Sequence, residues 1–183
     1  DLSNGGDKSW GENPPYAALG MKACEAASLD FSLGNAGAGL GARAGGYKGG
    51  LGSASWTTAD GYTVGALVAA NPFGSPAMPG GTLWAAAYEQ NGELGRQRAP
   101  KHTPLDLDFP GYIKAAPVLA GANTTIGVVA VDAMLTPAEA RRVAIMAQDG
   151  YARAVRPIHT MGDGDVIFVL ATGRRATSEP RAL

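Results

Sequence analysis

The sequence has little of what several classes of protein require. Among its 183 residues there are one cysteine, two histidines and only 7% aromatic residues. A single cysteine, Cys24, excludes an internal disulfide, and no apolar run reaches the roughly 18 residues of a membrane-spanning helix. We therefore predict a cytoplasmic protein with no membrane partner, in which the Cys24 thiol is buried and unreactive.

Neither sign of charge is in excess. Lys and Arg number 15 against 16 Asp and Glu, which gives a formal net charge of −1. Such a chain lacks the basic field that attracts nucleic acid, so we predict no nucleic-acid partner. The histidines, His102 and His159, have no Cys or His neighbour at metal-ligand spacing, so we predict no zinc site. We also predict no other metal and no cofactor. We expect His159 to be a packed or hydrogen-bonded structural residue.

Glycine, by contrast, is abundant, with 27 residues in the chain, and it is densest over residues 34–52. A phosphate-binding P-loop is excluded because Lys48 is followed by Gly49, and the dinucleotide fingerprint fails because Ala44 replaces its third glycine. Glycine here permits strand backbones to pass close to one another or to a substrate. Arg43 and Lys48 would be the charged groups presented there, although Lys48 is equally interpreted as a solvated surface lysine.

The apolar patterns predict a chain that alternates strands and helices. Because strands 63–70 and 166–171 are apolar on both faces, we expect both to be covered on both sides. The Asp60-Gly61 pair predicts a hairpin, and Thr136 opens a capping box. The predicted elements are an extended loop over 1–15, a helix over 14–28, strands over 51–56, 62–70 and 125–131, a helix from 136 to about 155, a strand over 166–171, a flexible linker over 75–123 and a polar tail over 173–183.

Thr124 stands where a small-polar turn opens into an apolar run. If the Asn123–Thr124 bond were cut, Thr124 would carry both nucleophile and base, because its new α-amine titrates at roughly 7.7–8.0 and could take the hydroxyl proton. This is the chemistry of an N-terminal-nucleophile hydrolase. On the local pattern alone, the alternative is an ordinary polar turn before a strand.

Three further polar side chains lie at predicted strand ends. Asn71 follows the strand 62–70 at a tight turn, a position suited to directing a side-chain amide into a site. Asp163 and Asp165 precede the last strand and, two residues apart in extended backbone, project to the same face. Two such carboxylates can orient a hydroxyl, hold an ammonium or share a proton. The alternative is a solvated Asp-Gly-Asp turn, and the calcium spacing of an EF-hand does not fit.

Five stretches in order carry a family resemblance: NGGDKSWGENPPY (4–16), GARAGGYKGGLG (41–52), VGALVAANPFG (64–74), NTTIGVVA (123–130) and RPIHTMGDGD (156–165). Together they resemble the P1 family of peptidases, which includes L-aminopeptidase/D-esterases, β-aminopeptidases and nylon-oligomer hydrolases. The resemblance implies an α/β fold, a layered αββα sandwich of the N-terminal-nucleophile-hydrolase type. Family members also carry a substantial portion before these stretches and further sequence after the last strand, and we expect both to be absent from this chain.

By position, the resemblance implies a role for each candidate residue. Thr124 matches the nucleophile, Asn71 matches the asparagine of an oxyanion hole, and Lys48 matches a lysine near the nucleophile. Asp163 and Asp165 match the pair that positions the hydroxyl and amine of the nucleophile. The Asn123–Thr124 junction is closer to the nylon-hydrolase branch than to the serine-using aminopeptidases.

The resemblance further implies a precursor that cleaves itself into an α chain, 1–123, and a β chain, 124–183, which stay together as one domain and assemble into a homo-oligomer, a tetramer. Our leading hypothesis is an amide hydrolase that acts on a small peptide or amide through an acyl-threonine. α-Peptides, β-peptides, D-esters and ω-amino-acid oligomers all remain open as substrates. The alternatives are an acyltransferase, as in the self-cleaving ornithine acetyltransferases, and a non-catalytic remnant that serves as a scaffold or binding subunit.

Overall fold

A computed structural model of the protein describes residues 9–98, 100–101 and 123–177. Its main unit is a four-stranded sheet with strand order β3-β4-β5-β6. The elements are α1 (Tyr16–Glu25), β1 (Arg43–Ala44), β2 (Tyr47–Lys48), β3 (Gly50–Thr57), β4 (Thr63–Ala70), β5 (Ile126–Ala133), α2 (Pro137–Ala154) and β6 (Val166–Arg175), with short 3₁₀ helices at Gly37–Gly39 and Trp84–Tyr88. Helix, hairpin and strands therefore lie close to where the sequence predicts them.

The sheet is mixed. β3 and β4 form the predicted antiparallel hairpin, and β5 pairs antiparallel with β4, so that Leu67 lies opposite Val128. β6 pairs parallel with β5, with Phe168 beside Val128. A parallel pair needs a crossover connection, and α2 supplies it.

The start of α2 confirms the predicted capping box. The Thr136 side chain accepts a hydrogen bond from the Glu139 N–H, and the Glu139 carboxylate accepts one from the Thr136 N–H at 2.8 Å. Pro137 occupies the first helical turn, where its missing N–H costs nothing. These contacts fix where the crossover begins after β5.

One face of the sheet is covered and the other is not. Val64, Val129 and Val131 face Val143 and Met146 of α2 across a shared apolar cavity. The strand alternation places Leu67, Ile126, Phe168 and Leu170 on the opposite face, where each is 36% to 58% exposed.

The prediction that strands 63–70 and 166–171 are covered on both sides is therefore wrong for the described part of the chain. The side chains are apolar on both faces, but the described residues place a helix against one face only. The α/β class is confirmed. What the described residues form is one helix layer on one sheet, half of the layers that an αββα sandwich contains.

The solvent exposure of the side chains corrects two further predictions. Cys24 was expected to be buried, but it is exposed, since no residue of α1 is buried in the described structure. The linker predicted from residue 75 is not loose at its start, where Ser75 is 0% exposed and hydrogen-bonded to Ala77. Trp84 is also buried.

The remaining predictions fall partly outside the described residues. The polar tail predicted from Gly173 is wrong at its start, because β6 continues to Arg175. Residues 178–183, His102, the linker over 102–122 and the loop over 1–8 lie outside the described ranges. Within those ranges, no helix is long and apolar enough to cross a membrane.

The cap of α2 provides a test of this fold. Replacing Thr136 by Ala removes the side-chain acceptor for the Glu139 N–H, and we expect the free energy of unfolding to fall by about 1 kcal/mol. Urea unfolding of the purified protein measures the loss. The matched control is Ser53→Ala, on the exposed surface of β3, which should change stability by much less. Equal effects of the two variants would contradict the assigned cap.

Candidate active site

The sheet topology brings the candidate residues to one edge. β4 runs antiparallel to β5, so the end of β4 meets the start of β5, with Ala69 opposite Ile126. β6 runs parallel to β5, so its start lies at the same edge, with Val166 beside Ile126. The segments that flank these strand ends carry Asn71, Thr124, Asp163 and Asp165.

The Asn123–Thr124 peptide is held by backbone hydrogen bonds on both sides. The Thr124 N–H donates to the Asn71 backbone carbonyl at 3.1 Å, and the Asn123 carbonyl accepts from the Gly164 N–H at 2.7 Å. Asn123 is itself 3% exposed, and its Nδ2 donates to the Gly162 carbonyl at 3.3 Å. The bond predicted to be cut is therefore fixed in place, while Thr124 stays partly accessible.

The resemblance assigns both aspartates to the hydroxyl and amine of Thr124, and in the structure each accepts a hydrogen bond from a backbone amide close to Thr124 or Asn71. Asp165 Oδ1 accepts from the Thr125 N–H at 2.7 Å, and Asp163 Oδ1 accepts from the Phe73 N–H at 2.9 Å. Asp163 Oδ2 also accepts from the Thr160 hydroxyl at 2.6 Å. Asp165 thus anchors the start of β5, and Asp163 anchors the turn that follows Asn71.

Asp165 has a second partner, which sequence reasoning missed. Its Oδ2 lies 2.9 Å from His159 Nδ1, and the Asp165 side chain is only 2% exposed. The His159 backbone has a φ of 56°, which is uncommon for a residue other than glycine. His159 is hydrogen-bonded, as predicted, but its partner is a residue of the candidate site. The six-residue spacing from His159 to Asp165 carried no recognisable signal.

The side-chain amide of Asn71 has a defined orientation. Asn71 is 9% exposed, and its Oδ1 accepts from the Arg43 N–H at 3.0 Å. An amide has its acceptor and its donors at opposite ends, so this bond directs Nδ2 away from Arg43. The bond from Arg43 therefore places the side-chain carbonyl of Asn71 on the side of β1.

Lys48 is connected to this site through the backbone of the β1–β2 hairpin. Lys48 pairs with Arg43, whose N–H binds Asn71, and the Lys48 side chain is exposed. Within the described ranges it forms no ion pair with an acidic side chain. Arg43 and Lys48 line one surface cleft, together with Asn35, Leu40 and Tyr47.

Glycine brings that hairpin close to the sheet, as its abundance predicted. A Cβ on Gly49 would lie 2.1 Å from the Ala70 carbonyl oxygen, and one on Gly39 would lie 2.4 Å from the Leu51 nitrogen. Real side chains do not tolerate such distances. The hairpin can therefore pack against the end of β4, next to Asn71, only with glycine at position 49, and the 3₁₀ helix Gly37–Gly39 can pack against the start of β3 only with glycine at position 39.

The family profile described as Peptidase family S58 matches residues 3–182. The chain belongs to this peptidase family. The match covers every element and every candidate residue described above, and it confirms the resemblance found in the sequence.

Named relatives of family S58 match the same region. An uncharacterised aminopeptidase of Mycobacterium tuberculosis is 45% identical over 161 residues, which cover 87% of this chain and 46% of the relative. A 6-aminohexanoate-oligomer endohydrolase of Paenarthrobacter ureafaciens is 30% identical over 165 residues, covering 86% of this chain and 45% of the relative. The chain thus spans about half the length of the curated relatives that it matches.

A solved structure agrees in fold. The L-aminopeptidase D-Ala-esterase/amidase of Ochrobactrum anthropi, whose structure is described as a variant of the Ntn hydrolase fold, superposes with a TM-score of 0.50 at 26% identity. The superposition covers 86% of this chain and 37% of that one. The sheet and the helix layer of the described residues therefore belong to an Ntn-hydrolase fold.

Tyr151 of α2 lies beneath the site, and sequence reasoning gave it no role. Its hydroxyl is buried and has no hydrogen-bond partner within the described residues, and a Cβ on Gly127 would lie 2.2 Å from it. Burial and, to a lesser extent, the charge of Asp165 raise the pKa of Tyr151 to about 12. The phenol therefore stays neutral beside the Asp165–His159 pair.

This environment predicts an alkaline effect on stability. Because the pKa of Tyr151 is raised above its ordinary value of 10.0, the folded state holds the proton more tightly than the unfolded state. The contribution of the protonated Tyr151 to the free energy of unfolding is complete below pH 10 and is lost as the pH rises through 12. Tyr151→Phe should remove this part of the alkaline loss and, by eliminating a buried hydroxyl without a partner, leave stability at pH 8 equal or higher.

Urea unfolding at pH 8 and pH 11 measures both effects. Tyr47→Phe is the matched control, because Tyr47 is 47% exposed and should leave the alkaline loss unchanged. An alkaline loss in Tyr151→Phe as large as in the parent protein would contradict the buried, neutral phenol.

Proposed function

We propose that this family S58 protein is a self-processing amide hydrolase whose nucleophile is Thr124. The observation that carries the proposal is the position of the Asn123–Thr124 peptide. It lies at the sheet edge where Asn71, Asp163 and Asp165 converge, and the Thr124 nitrogen is 3.1 Å from the Asn71 carbonyl. The family match and the names of the relatives support hydrolysis of an amide bond.

In the first step the Thr124 hydroxyl attacks the Asn123 carbonyl carbon. The new C–O bond replaces the C–N bond, and the hydroxyl proton passes to the departing nitrogen, which leaves an ester on Thr124 and a free α-amine. Water then cleaves that ester and returns a proton to the hydroxyl. The products are an Asn123 carboxylate and an N-terminal threonine.

In the mature protein the same threonine would act on substrate. Its α-amine takes the hydroxyl proton, the oxygen attacks the substrate carbonyl, and the amine then protonates the leaving nitrogen. Water releases the acyl group from Thr124. The Asn71 Nδ2 donates to the oxyanion, and it is preorganised for this because the Arg43 N–H holds the other end of the amide at 3.0 Å.

The aspartates and Lys48 would support this unit in different ways. Asp165 would position Thr124 through the Thr125 amide, and Asp163 would position Asn71 through the Phe73 amide; the hydrogen bonds to these two amides support this role. Lys48 lines the cleft beside Asn71 and is suited to contact substrate or the reacting groups.

The sheet explains how two cleaved chains would remain one domain. Residues 1–123 contribute β3 and β4, and residues 124–183 contribute β5 and β6. The cut would fall between β4 and β5, which are paired over Val64–Ala69 and Ile126–Val131. Their backbone hydrogen bonds do not depend on the severed peptide, so both chains stay in one sheet.

The substrate we propose is a small peptide or an amide of ω-amino-acid type. The matched relatives are named aminopeptidase and 6-aminohexanoate-oligomer endohydrolase, and both names denote hydrolysis of amide bonds. These names favour hydrolysis over transfer of the acyl group to an acceptor amine. They also favour an enzyme over a non-catalytic remnant.

Substitution of Thr124 tests the nucleophile directly. The parent protein should split on incubation into fragments 1–123 and 124–183, while Thr124→Ala, which lacks the hydroxyl, should stay whole. Thr124→Ser is the matched control and should still cleave, because it keeps an attacking oxygen. Intact mass over time measures each chain, and an acylating probe should label Thr124 of the mature protein. A parent chain that stays whole and matches Thr124→Ala would refute the proposal.

Asn71→Asp tests the oxyanion donor. This change keeps an acceptor for the Arg43 N–H but replaces Nδ2 by an oxygen that repels an oxyanion. We expect kcat on a small aminoacyl amide to fall by about 10²–10³-fold, the usual cost of losing one oxyanion donor, with a smaller change in KM. Asn91→Asp, the same substitution at an exposed asparagine outside the cleft, is the control and should keep kcat within a few fold. An unchanged kcat in Asn71→Asp would remove Asn71 from the mechanism.

A further inference from the structure

We propose that the Gly164 backbone N–H is the oxyanion donor of the self-cleavage step, and that residue 164 must be glycine so that the Thr124 hydroxyl can lie beside it. This inference rests on the proposed self-processing and names the group that stabilises the transition state of that cleavage. The donor would thus differ from the Asn71 amide that we assign to substrate hydrolysis.

The first support is the contact with the scissile carbonyl itself. The Gly164 N–H donates to the Asn123 carbonyl oxygen at 2.7 Å, at the short end of the ordinary range for such bonds. When Thr124 Oγ1 adds to the carbonyl carbon, negative charge collects on this oxygen. The donor is then already in place, and a preorganised donor stabilises charge without reorganisation.

The second support is the space beside Gly164. A Cβ built on Gly164 would lie 2.8 Å from Thr124 Oγ1 and 3.7 Å from the Asn123 carbonyl oxygen. The Gly164 α-carbon therefore faces the attacking oxygen while its N–H binds the atom that becomes the oxyanion. Both reacting groups of the cleavage contact one residue.

The third support is what holds Gly164. It lies between Asp163, which binds the Phe73 N–H, and Asp165, which binds the Thr125 N–H. Asn123 also pairs with Asp163 in a parallel bridge. The direction of the Gly164 N–H is thus fixed by contacts on both sides, one to the Asn71 turn and one to the start of β5.

The leaving nitrogen has a partner of its own. The Thr124 N–H donates to the Asn71 carbonyl at 3.1 Å before cleavage. In the tetrahedral intermediate this nitrogen has taken up the hydroxyl proton and carries a positive charge until the C–N bond breaks, so its bond to the Asn71 carbonyl becomes charge-assisted and stronger. Gly164 and the Asn71 backbone would therefore stabilise the two charges that develop as the peptide bond breaks.

The decisive variant removes the N–H and adds no atom. Cell-free translation of the full chain with glycolic acid at position 164 replaces the amide by an ester, and we expect self-cleavage, followed by intact mass, to slow by about 10²–10³-fold. The matched control carries glycolic acid at position 61, whose N–H donates to the Thr58 carbonyl at 2.9 Å in the β3–β4 turn. That control should cleave at the parent rate.

A second variant tests the steric part. Gly164→Ala should place a methyl group against Thr124 Oγ1 and also slow cleavage by at least 100-fold. Its control is Gly52→Ala, where a Cβ meets nothing within 4 Å and cleavage should be unaffected. Thermal unfolding of each variant shows whether it is folded.

The outcomes separate this inference from the proposed function. A parent chain that never cleaves would overturn both the proposed function and this inference. If the parent cleaves and Thr124→Ala does not, but the ester at position 164 cleaves at the parent rate, the self-processing stands and Gly164 is not its oxyanion donor. Slow cleavage in the ester at position 164, with parent-like cleavage in the ester at position 61, supports the assignment.

Discussion

The hydrogen bond between the Gly164 N–H and the Asn123 carbonyl joins the two halves of the site. This bond connects the loop before β6 to Asn123, three residues before β5. The contacts of Asp165 with Thr125 and of Asp163 with Phe73 lie on either side of it. It acts together with the bond from the Thr124 N–H to the Asn71 carbonyl. With these bonds, an otherwise ordinary peptide bond is held at a fixed place between the ends of three strands.

Under the proposed self-processing, the same arrangement would make this peptide a suitable place for a cut. The bond joins the segment after β4 to β5, and those strands are hydrogen-bonded to each other along Val64–Ala69 and Ile126–Val131. A break there removes a covalent link but leaves the sheet pairing intact. It also places a new chain end beside Asn71, where an amine and a hydroxyl of one residue can work together.

Much of the fold could be predicted because its signals are local. The capping box at Thr136, the Asp60-Gly61 turn and the apolar runs of β4, β5 and β6 each depend on neighbouring residues, and the structure confirms these elements. The predictions that failed concern burial. Cys24 and the outer face of β6 are exposed in the described structure, because burial depends on which layer packs against an element and periodicity does not specify that layer.

The sequence by itself determined the elements, their order and the family, because strand, turn and cap preferences act over a few residues and the matched segments are continuous. It also identified Thr124, Asn71, Lys48, Asp163 and Asp165 as candidates. Only the tertiary structure decided how these residues meet: the aspartates hold backbone amides, His159 pairs with Asp165, and Gly164 lies against both Asn123 and Thr124. These contacts join residues up to 90 positions apart. The pairing of β5 with β4 and β6 brings them together, and no local pattern records that pairing.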